Sequence, residues 1–289
     1  MKKILIYIIC LFNFSWSIGI ESLIIPQRAS ILALSGSGIA GNIDVGINPS
    51  SIESPYLGFS NNTWLAGVTG QKSTWIFEGK ANRFISFESM GIDDIEYHSD
   101  NDSDPEGYVS ANWFAVDFGS KINFKQSENF QLGYNIKFNY SKIYMDNSWG
   151  YSFDLGATHS IDDHLRIGYI VKNIGAQYYN SQDNDQLDPY IGIGFAHDVN
   201  ILKSELFFID LSYYVDIITY QENEIFKLGL TTKLPFINLM IGSSYANGYS
   251  DMSYGLSFKA KKWMLVFGNL NHENPALGNP QSIELRKYF

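Results

Sequence analysis

The sequence contains little cysteine, little proline and few charged residues. Its single cysteine, Cys10, lies in the apolar run Ile4–Phe12, so no intramolecular disulfide can stabilise the chain. Charged residues make up 17% of the sequence, below the roughly 25% that is usual for soluble domains. The formal net charge of −10 argues against a nucleic-acid partner, because phosphate backbones bind basic surfaces.

Long apolar runs are also missing from most of the chain. Lys2 and Lys3 precede the apolar run at the N-terminus, and Ser15 and Ser17 offer the small residues that a signal peptidase needs. We therefore expect residues 1–17 to be a signal peptide. Beyond them no stretch reaches about 18 consecutive apolar residues, which excludes a membrane-spanning helix. An exported chain of this kind is either a soluble β-protein or a membrane β-barrel.

What the sequence does contain is aromatic residues in alternating patterns. It has 20 Phe and 19 Tyr, and from about Tyr56 onward apolar and polar residues alternate in successive segments. A period of two predicts strands with one apolar and one polar face. The candidate segments are residues 53–60, 63–70, 73–79, 82–90, 111–124, 129–142, 149–160, 163–174, 188–198, 204–216, 224–233, 237–246, 251–260, 263–270 and 281–289. Because closed bacterial barrels normally have an even number of strands, we expect one candidate to be false or merged and predict fourteen strands.

The same alternation is compatible with a soluble β-sandwich whose apolar faces point inward. Three features favour a transmembrane antiparallel β-barrel instead. Most segments are near the ~9–11 residues that cross a bilayer at a tilt, and Trp and Tyr cluster near segment ends, as in interfacial girdles. The C-terminus places Ile283, Leu285 and Phe289 on one face, which resembles the signal that barrel assembly machinery recognises in Gram-negative outer-membrane proteins. We therefore expect the apolar faces to contact outer-membrane lipid.

The hairpin at 149–175 shows what the polar faces predict for the interior. If its apolar residues face lipid, then Asp154, Arg166 and Lys172 face the lumen. Both arms keep this orientation only when the numbers of paired residues have an even sum, and we expect a sum of about 322 or 324. This register predicts an ion pair between Asp154 and one of the two basic residues, which would fill and rigidify the lumen.

Several short motifs resemble those of a known family. They include Arg28-Ala29, the run LSGSGIA at 34–40 and INPS at 47–50, followed by FDLG at 153–156, IGYIVKNIG at 167–175 and DPYIGIGFAH at 188–197. Their order and spacing resemble the PorV/PorQ family, outer-membrane barrels related to the FadL-like long-chain fatty-acid transporters.

The resemblance implies a fourteen-stranded barrel with an N-terminal plug segment in the lumen. Residues 18–52 suit this role, since they are rich in Gly, Ser and Ala and alternate only weakly. The expected organisation is a signal peptide at 1–17, a plug at 18–52 and a barrel at 53–289. Arg28, Asn48 and Pro49 are the plug candidates, and we expect Asn48 and Pro49 to form a rigid structural turn rather than a ligand site.

The sequence offers no catalytic or metal-binding pattern. Its five histidines are scattered without metal-ligand spacing, and His159 and His164 flank one turn. No G-x-S-x-G motif supports a phospholipase, so we expect neither an enzyme nor a cofactor. Asp100, Asp102 and Asp104 alternate as in a calcium loop, but Pro105 stands where that loop needs glycine and its final glutamate is missing. We interpret the acidic stretch 93–107 as a solvated extracellular loop.

Three functions are compatible with such a barrel in the outer membrane of a Gram-negative bacterium. The first is a channel or transporter for hydrophobic or amphipathic small molecules. The second is a component associated with a type IX secretion system that handles or shuttles secreted substrates, with secretion-system proteins as partners. The third is a structural barrel without transport. A fold alone does not decide among them.

Overall fold

The computed structural model describes residues 25–52, 54–77, 79, 82–97, 106–123, 129–179, 184–204, 207–272 and 277–289. The expected signal peptide and the central part of the acidic stretch, 98–105, lie outside the described residues. Within the described ranges, no helix has the length and apolar character needed to cross a membrane.

The chain forms a closed antiparallel barrel of fourteen strands with one extra short strand. The fourteen barrel strands pair with their neighbours in sequence, with β7 pairing with β9 past the short β8, and β1 pairs with β15, so the barrel closes. The strands are β1 (Tyr56–Thr63), β2 (Thr69–Phe77), β3 (Arg83–Tyr97), β4 (Gly107–Asn123), β5 (Phe130–Ile143), β6 (Asp146–Ser160), β7 (Leu165–Tyr179), β8 (Asn184–Gln186), β9 (Tyr190–Lys203), β10 (Phe208–Tyr220), β11 (Asn223–Lys233), β12 (Ile237–Ala246), β13 (Tyr249–Ala260), β14 (Trp263–Asn271) and β15 (Gln281–Tyr288).

The predicted count of fourteen barrel strands is confirmed, and the merged candidate lies at the start of the barrel. The candidates 53–60, 63–70 and 73–79 correspond to only two strands, β1 and β2. Between them Leu65–Gly67 forms a 3-10 turn. Its apolar residues continue the alternating pattern, so the sequence does not show where β1 ends and β2 begins. The short strand β8 was not predicted; it pairs only with β7, over three residues.

The apolar faces of the strands point outward. Phe138 is 53% exposed while its neighbour Lys137 is 8% exposed, and Tyr151 and Ser152 show the same contrast. This orientation excludes the β-sandwich alternative, in which the apolar faces would be buried against each other. It also leaves a continuous apolar outer surface and a polar lumen.

The hairpin of β6 and β7 has a register that differs from the expectation. Near the turn the numbers of paired residues do have an even sum, as for Ala157 and Tyr169, but this sum is 326 rather than the expected 322 or 324. A bulge at Asp154 then shifts the pairing, so that Ser152 lies opposite Gly175. The inserted residue is Asn173, which has a left-handed φ of 62°.

The predicted ion pair of Asp154 is wrong, because the bulge gives this carboxylate other partners. The backbone N–H of Asn173 donates to Asp154 Oδ1 at 2.8 Å, and Asn135 Nδ2 donates to Oδ2 at 3.2 Å. Arg166 instead pairs with Asp198, with 2.7 Å between Nη1 and Oδ2. Lys172 donates to the carbonyl of Gly46 at 2.6 Å.

The turn between β6 and β7 explains the position of the neighbouring histidine. Asp162 Oδ1 accepts hydrogen bonds from the backbone N–H groups of His164 and Leu165, both at 2.7 Å. These hydrogen bonds lower the pKa of the Asp162 carboxyl below its ordinary value. His164 is an exposed residue of this turn, which matches the interpretation as a solvated side chain.

Replacing Asp154 with alanine is expected to destabilise the barrel. Asp154→Ala would leave the buried N–H of Asn173 and the amide of Asn135 without this acceptor, at a cost of about 1–3 kcal/mol. Thermal unfolding in detergent, followed by circular dichroism, measures the loss. Asp163→Ala, in the exposed turn, is the matched control and should unfold as wild type does. Equal melting temperatures for the two variants would contradict the proposed role of the bulge.

Candidate functional site

Residues 25–52 cross the lumen and contact opposite walls of the barrel. The short helix α1 (Ala29–Ala33) packs against β13, β14 and β15. The 3-10 turn Pro49–Ser51 packs against β4, β5 and β6 on the other side. We call residues 25–52 the plug. The boundary of 18–52 stays a prediction, because residues 18–24 lie outside the described residues.

Small residues allow the plug backbone to touch the barrel wall. A Cβ added at Gly133 would lie 2.2 Å from the carbonyl carbon of Pro49, and one at Gly242 would lie 2.1 Å from that of Leu34. These distances are far below van der Waals contact. The wall therefore needs glycine at these positions so that the plug can fit against it.

A buried ionic cluster anchors the first half of the plug. Arg28 Nη1 lies 2.7 Å from Asp44 Oδ2 and donates to Tyr56 Oη at 2.6 Å, while Nη2 donates to Thr74 Oγ1 at 2.5 Å. From the wall, Arg286 contacts the same carboxylate oxygen at 3.3 Å. Burial would raise the pKa of Asp44, but Arg28 and Arg286 lower it below its ordinary value. The carboxylate thus stays charged between two guanidinium groups, which offsets the cost of burying it.

Asp216 anchors the middle of the plug, and sequence reasoning missed it. Its side chain in β10 is fully buried and accepts hydrogen bonds from the backbone N–H groups of Gly38 at 2.6 Å and Ile39 at 3.2 Å. Gly38 has a left-handed φ of 107°, which aims these N–H groups at the carboxylate. The available signal was the position of Asp216 on the inward face of β10, between Tyr214 and Ile218.

Asn48 and Pro49 form the turn that anchors the second half of the plug. Asn48 Oδ1 accepts from the backbone N–H of Ser50 at 2.9 Å, and Nδ2 donates to the carbonyls of Ile39 at 2.7 Å and Ala157 at 3.2 Å. Asn48 is fully buried, so both ends of its amide are used to fix structure. The purely structural role that the sequence predicts for Asn48 and Pro49 stays a prediction, and the hydrogen bonds of the turn are compatible with it.

Beside the plug lie two small cavities that share Pro26, Ile31, Gly46 and Lys172 in their linings. We call them together the plug chamber. The larger, of about 70 Å³, is polar and includes Arg28 and Asp154 among its lining residues. Within it, Lys72 Nζ lies 2.8 Å from Glu88 Oε2 and 3.3 Å from Asp117 Oδ2.

The smaller cavity of the plug chamber is mostly apolar. It has a volume of about 60 Å³ and contains two basic residues, Lys172 and Lys227. Both ammonium groups lie near the ring of Tyr190, at 5.8 and 6.0 Å from its centroid. The apolar lining residues are Ile31, Ile39, Ile47, Ile170 and Ile218. An apolar wall with two ammonium groups suits a molecule that has both a hydrocarbon part and an acidic group.

The structure separates the six residues that the sequence singled out. Arg28, Asp154 and Lys172 line the plug chamber, and Asn48 and Pro49 hold the plug against the wall. Arg166 lies on the other side of the plug, where it donates to the carbonyl of Ala40 at 3.0 Å. In the part of the chain that the structure describes, no three His, Cys, Asp or Glu side chains form a group suited to a metal ion.

A side chain at Gly133 is expected to displace the plug. Gly133→Ala would place a methyl group within 2.2 Å of the Pro49 backbone, so the turn must move away from the wall. We expect faster proteolysis of the plug and higher conductance in planar bilayers than in wild type. Gly107→Ala is the matched control, because a Cβ there meets no atom within 4 Å. A closed, protease-resistant Gly133→Ala variant would contradict this seating of the plug.

No family model matches this sequence, and no curated protein matches it either. Solved structures do share its fold. A chain described as the CymD monoaromatic hydrocarbon channel matches with a TM-score of 0.63 and 12% identity, over 92% of this chain and 98% of its own. The toluene transporter TodX of P. putida matches with a TM-score of 0.62 and 10% identity, over 91% and 98%.

A third similar structure is a FadL homologue of Pseudomonas aeruginosa. It has a TM-score of 0.54 and 8% identity, over 91% of this chain and 98% of its own. At these identities the similarity shows the fold alone, a closed antiparallel β-barrel, and leaves the ligand open.

Proposed function

We propose that this protein is an outer-membrane channel for hydrophobic or amphipathic small molecules. The observation that carries the proposal is the plug chamber, where five isoleucines and two lysines meet inside a closed barrel whose apolar face is outside. The similar structures support it, since their descriptions name a monoaromatic hydrocarbon channel and a toluene transporter. The proposed location is the outer membrane of a Gram-negative bacterium.

The outer surface supports a position in a lipid bilayer. Exposed aromatic side chains lie near both rims of the barrel, where girdles contact the interfaces of the bilayer. They include Tyr108, Trp149, Tyr245 and Tyr249 at one rim and Phe236, Phe258, Trp263 and Phe289 at the other. Phe289, 63% exposed, remains the proposed contact for the barrel assembly machinery.

The size of the plug chamber indicates how such a channel works. Its cavities, of about 70 and 60 Å³, are far smaller than the ~300–1,000 Å³ of typical ligand pockets. A ligand therefore enters only when the plug moves, and binding shifts the population toward the displaced state. In that state the hydrocarbon part lies against the isoleucines, and an acidic group pairs with Lys172 or Lys227.

Membership of the PorV/PorQ family is the finer form of this proposal. It rests on the N-terminal motifs, and the Asn48–Pro49 turn gives one of them a structural role at the plug–wall contact. A role in handling substrates of a type IX secretion system is the alternative function. Co-purification with secretion components and loss of cargo export on deletion of the gene would favour that alternative over transport.

Removing one lysine from the plug chamber is expected to slow the entry of acidic solutes and to leave the entry of neutral solutes unchanged. We expect the protein in liposomes to admit both toluene and octanoate, and Lys227→Met to slow octanoate entry several-fold while toluene entry is unchanged. The physical reason is the loss of one of two ammonium groups in an otherwise apolar cavity. Uptake into proteoliposomes, measured with radiolabelled solutes, tests this.

Lys262→Met, at an exposed turn, is the control for the uptake experiment. Glucose, which is polar and uncharged, is the control solute and should enter no faster than in liposomes without protein. Entry of glucose as fast as octanoate would indicate an unselective pore. Exclusion of both toluene and octanoate would refute the proposed channel.

A further inference from the structure

We propose that a second cavity, on the opposite side of the plug, binds a small organic carboxylate. This site does not depend on the proposed transport, since it rests on the residues of a separate cavity. It lies near the end of the barrel where β1 begins and β15 ends, and we call it the terminal cavity. Its volume of about 260 Å³ is larger than that of either cavity in the plug chamber.

Three polar side chains form a row on one wall of the terminal cavity. Lys233 in β11 is the register partner of Asn238 in β12, and Asn238 is the partner of Ser257 in β13. All three line the cavity. Because neighbouring strands are ~4.8 Å apart, the row presents an ammonium, an amide and a hydroxyl group within about 10 Å.

Lys233 is the cation of the terminal cavity that forms no salt bridge among the described residues, and the charge of Asp198, which also lines the cavity, acts on it only from beyond 4.0 Å. Arg166 is paired with Asp198, and Arg286 is paired with Glu284 and Asp44. The ammonium of Lys233, in contrast, has no carboxylate oxygen of a described residue within 4.0 Å. This holds even for Asp210, its register partner in β10. A partly buried cation of this kind favours an anionic ligand.

Three further lining residues, Asn42, Thr231 and Ser257, have a buried polar atom without a hydrogen-bond partner among the described protein atoms. Ser257 is 1% exposed, and its Oγ makes no hydrogen bond with any described protein atom. From the plug, Asn42 Oδ1 is likewise buried without a partner. Buried polar atoms normally find a partner. A hydroxyl such as that of Ser257 can donate to a carboxylate, whereas Asn42 Oδ1 only accepts and needs a donor such as water.

The chemistry of the lining selects the class of ligand. The ammonium of Lys233, the hydroxyl of Ser257 and the amide of Asn238 can all donate, which matches the two acceptor oxygens of a carboxylate. The lining also contains the apolar residues Met240, Met264 and Val266. Val266 is the register partner of Ser257, so polar and apolar groups lie side by side on this wall. A cavity of about 260 Å³ has room for one ring or a short chain.

Benzoate is a suitable test ligand, and benzamide is its neutral counterpart of the same shape. Calorimetric titration of the full-length protein in a non-ionic detergent should show benzoate binding. We expect benzamide to bind at least tenfold more weakly. We also expect Lys233→Met to weaken benzoate binding at least tenfold, with Ser257→Ala as a second variant. Lys262→Met, an exposed lysine near the same end, should bind benzoate as wild type does.

Competition with acetate distinguishes the two parts of the ligand. If acetate displaces benzoate at a similar concentration, the cavity recognises the carboxylate alone. If acetate displaces benzoate only at a higher concentration, the ring contributes to binding as well. Either result supports the site. Equal binding of benzoate and benzamide would overturn the proposal. So would lost binding in Lys227→Met with retained binding in Lys233→Met, since that places the ligand in the plug chamber.

These outcomes are independent of transport. Calorimetry in detergent reports binding even if no solute crosses a liposome, so failure of the channel proposal leaves this test intact. Conversely, transport with no benzoate binding would refute the terminal site alone. Circular dichroism of each folded variant separates lost binding from lost structure.

Discussion

The outward orientation of the apolar faces is the constraint on which the rest of this structure depends. With its apolar side chains mostly on the outside, the barrel has an interior rich in polar and charged groups, and apolar clusters form there where plug residues such as Leu34, Ile39 and Ile52 pack against the wall. Buried polar groups must be paired within the protein or by water. The plug supplies many of these partners, because its backbone and its few charged side chains reach strands on all sides of the barrel.

The need to pair buried polar groups in the lumen explains several of the contacts that hold the plug in place. Its polar anchors are the ionic cluster of Arg28, Asp44 and Arg286, the carboxylate of Asp216, and the amide of Asn48. Three apolar clusters between plug and wall add to these anchors. When a hydrogen bond within the protein is exchanged for one with water, the stability of the folded state changes by only ~0.5–1.5 kcal/mol. Exposing a large apolar core to water costs far more. The polar anchors can therefore be exchanged for water or a ligand at small cost, whereas the apolar clusters between plug and wall oppose displacement of the plug. A ligand that displaces the plug must cover that apolar surface in its turn.

The barrel was predictable from the sequence because alternation is a local property of each strand. The orientation of Tyr151 or Phe138 follows from its neighbours alone. The partners of Asp154 did not follow, because a single inserted residue with a left-handed backbone, Asn173, changed the pairing. Asp216 was missed for a related reason: its partners are backbone N–H groups 178 and 177 residues away in the sequence, and no residue type marks them. Interior sites of a barrel depend on such long-range contacts, whereas its wall does not.

The plug divides the lumen into two compartments with related chemistry. On one side, isoleucines surround Lys172 and Lys227; on the other, methionines and a valine lie near Lys233. An amphipathic acid leaving one compartment must give up one ammonium partner, and the cost of an unpaired carboxylate in an apolar environment is high. A second cation beyond the plug lowers that cost, since the carboxylate then exchanges one partner for another. The two proposals thus have a common physical basis. An ammonium group on each side of the plug allows a mostly apolar molecule with one negative charge to pass the plug in steps.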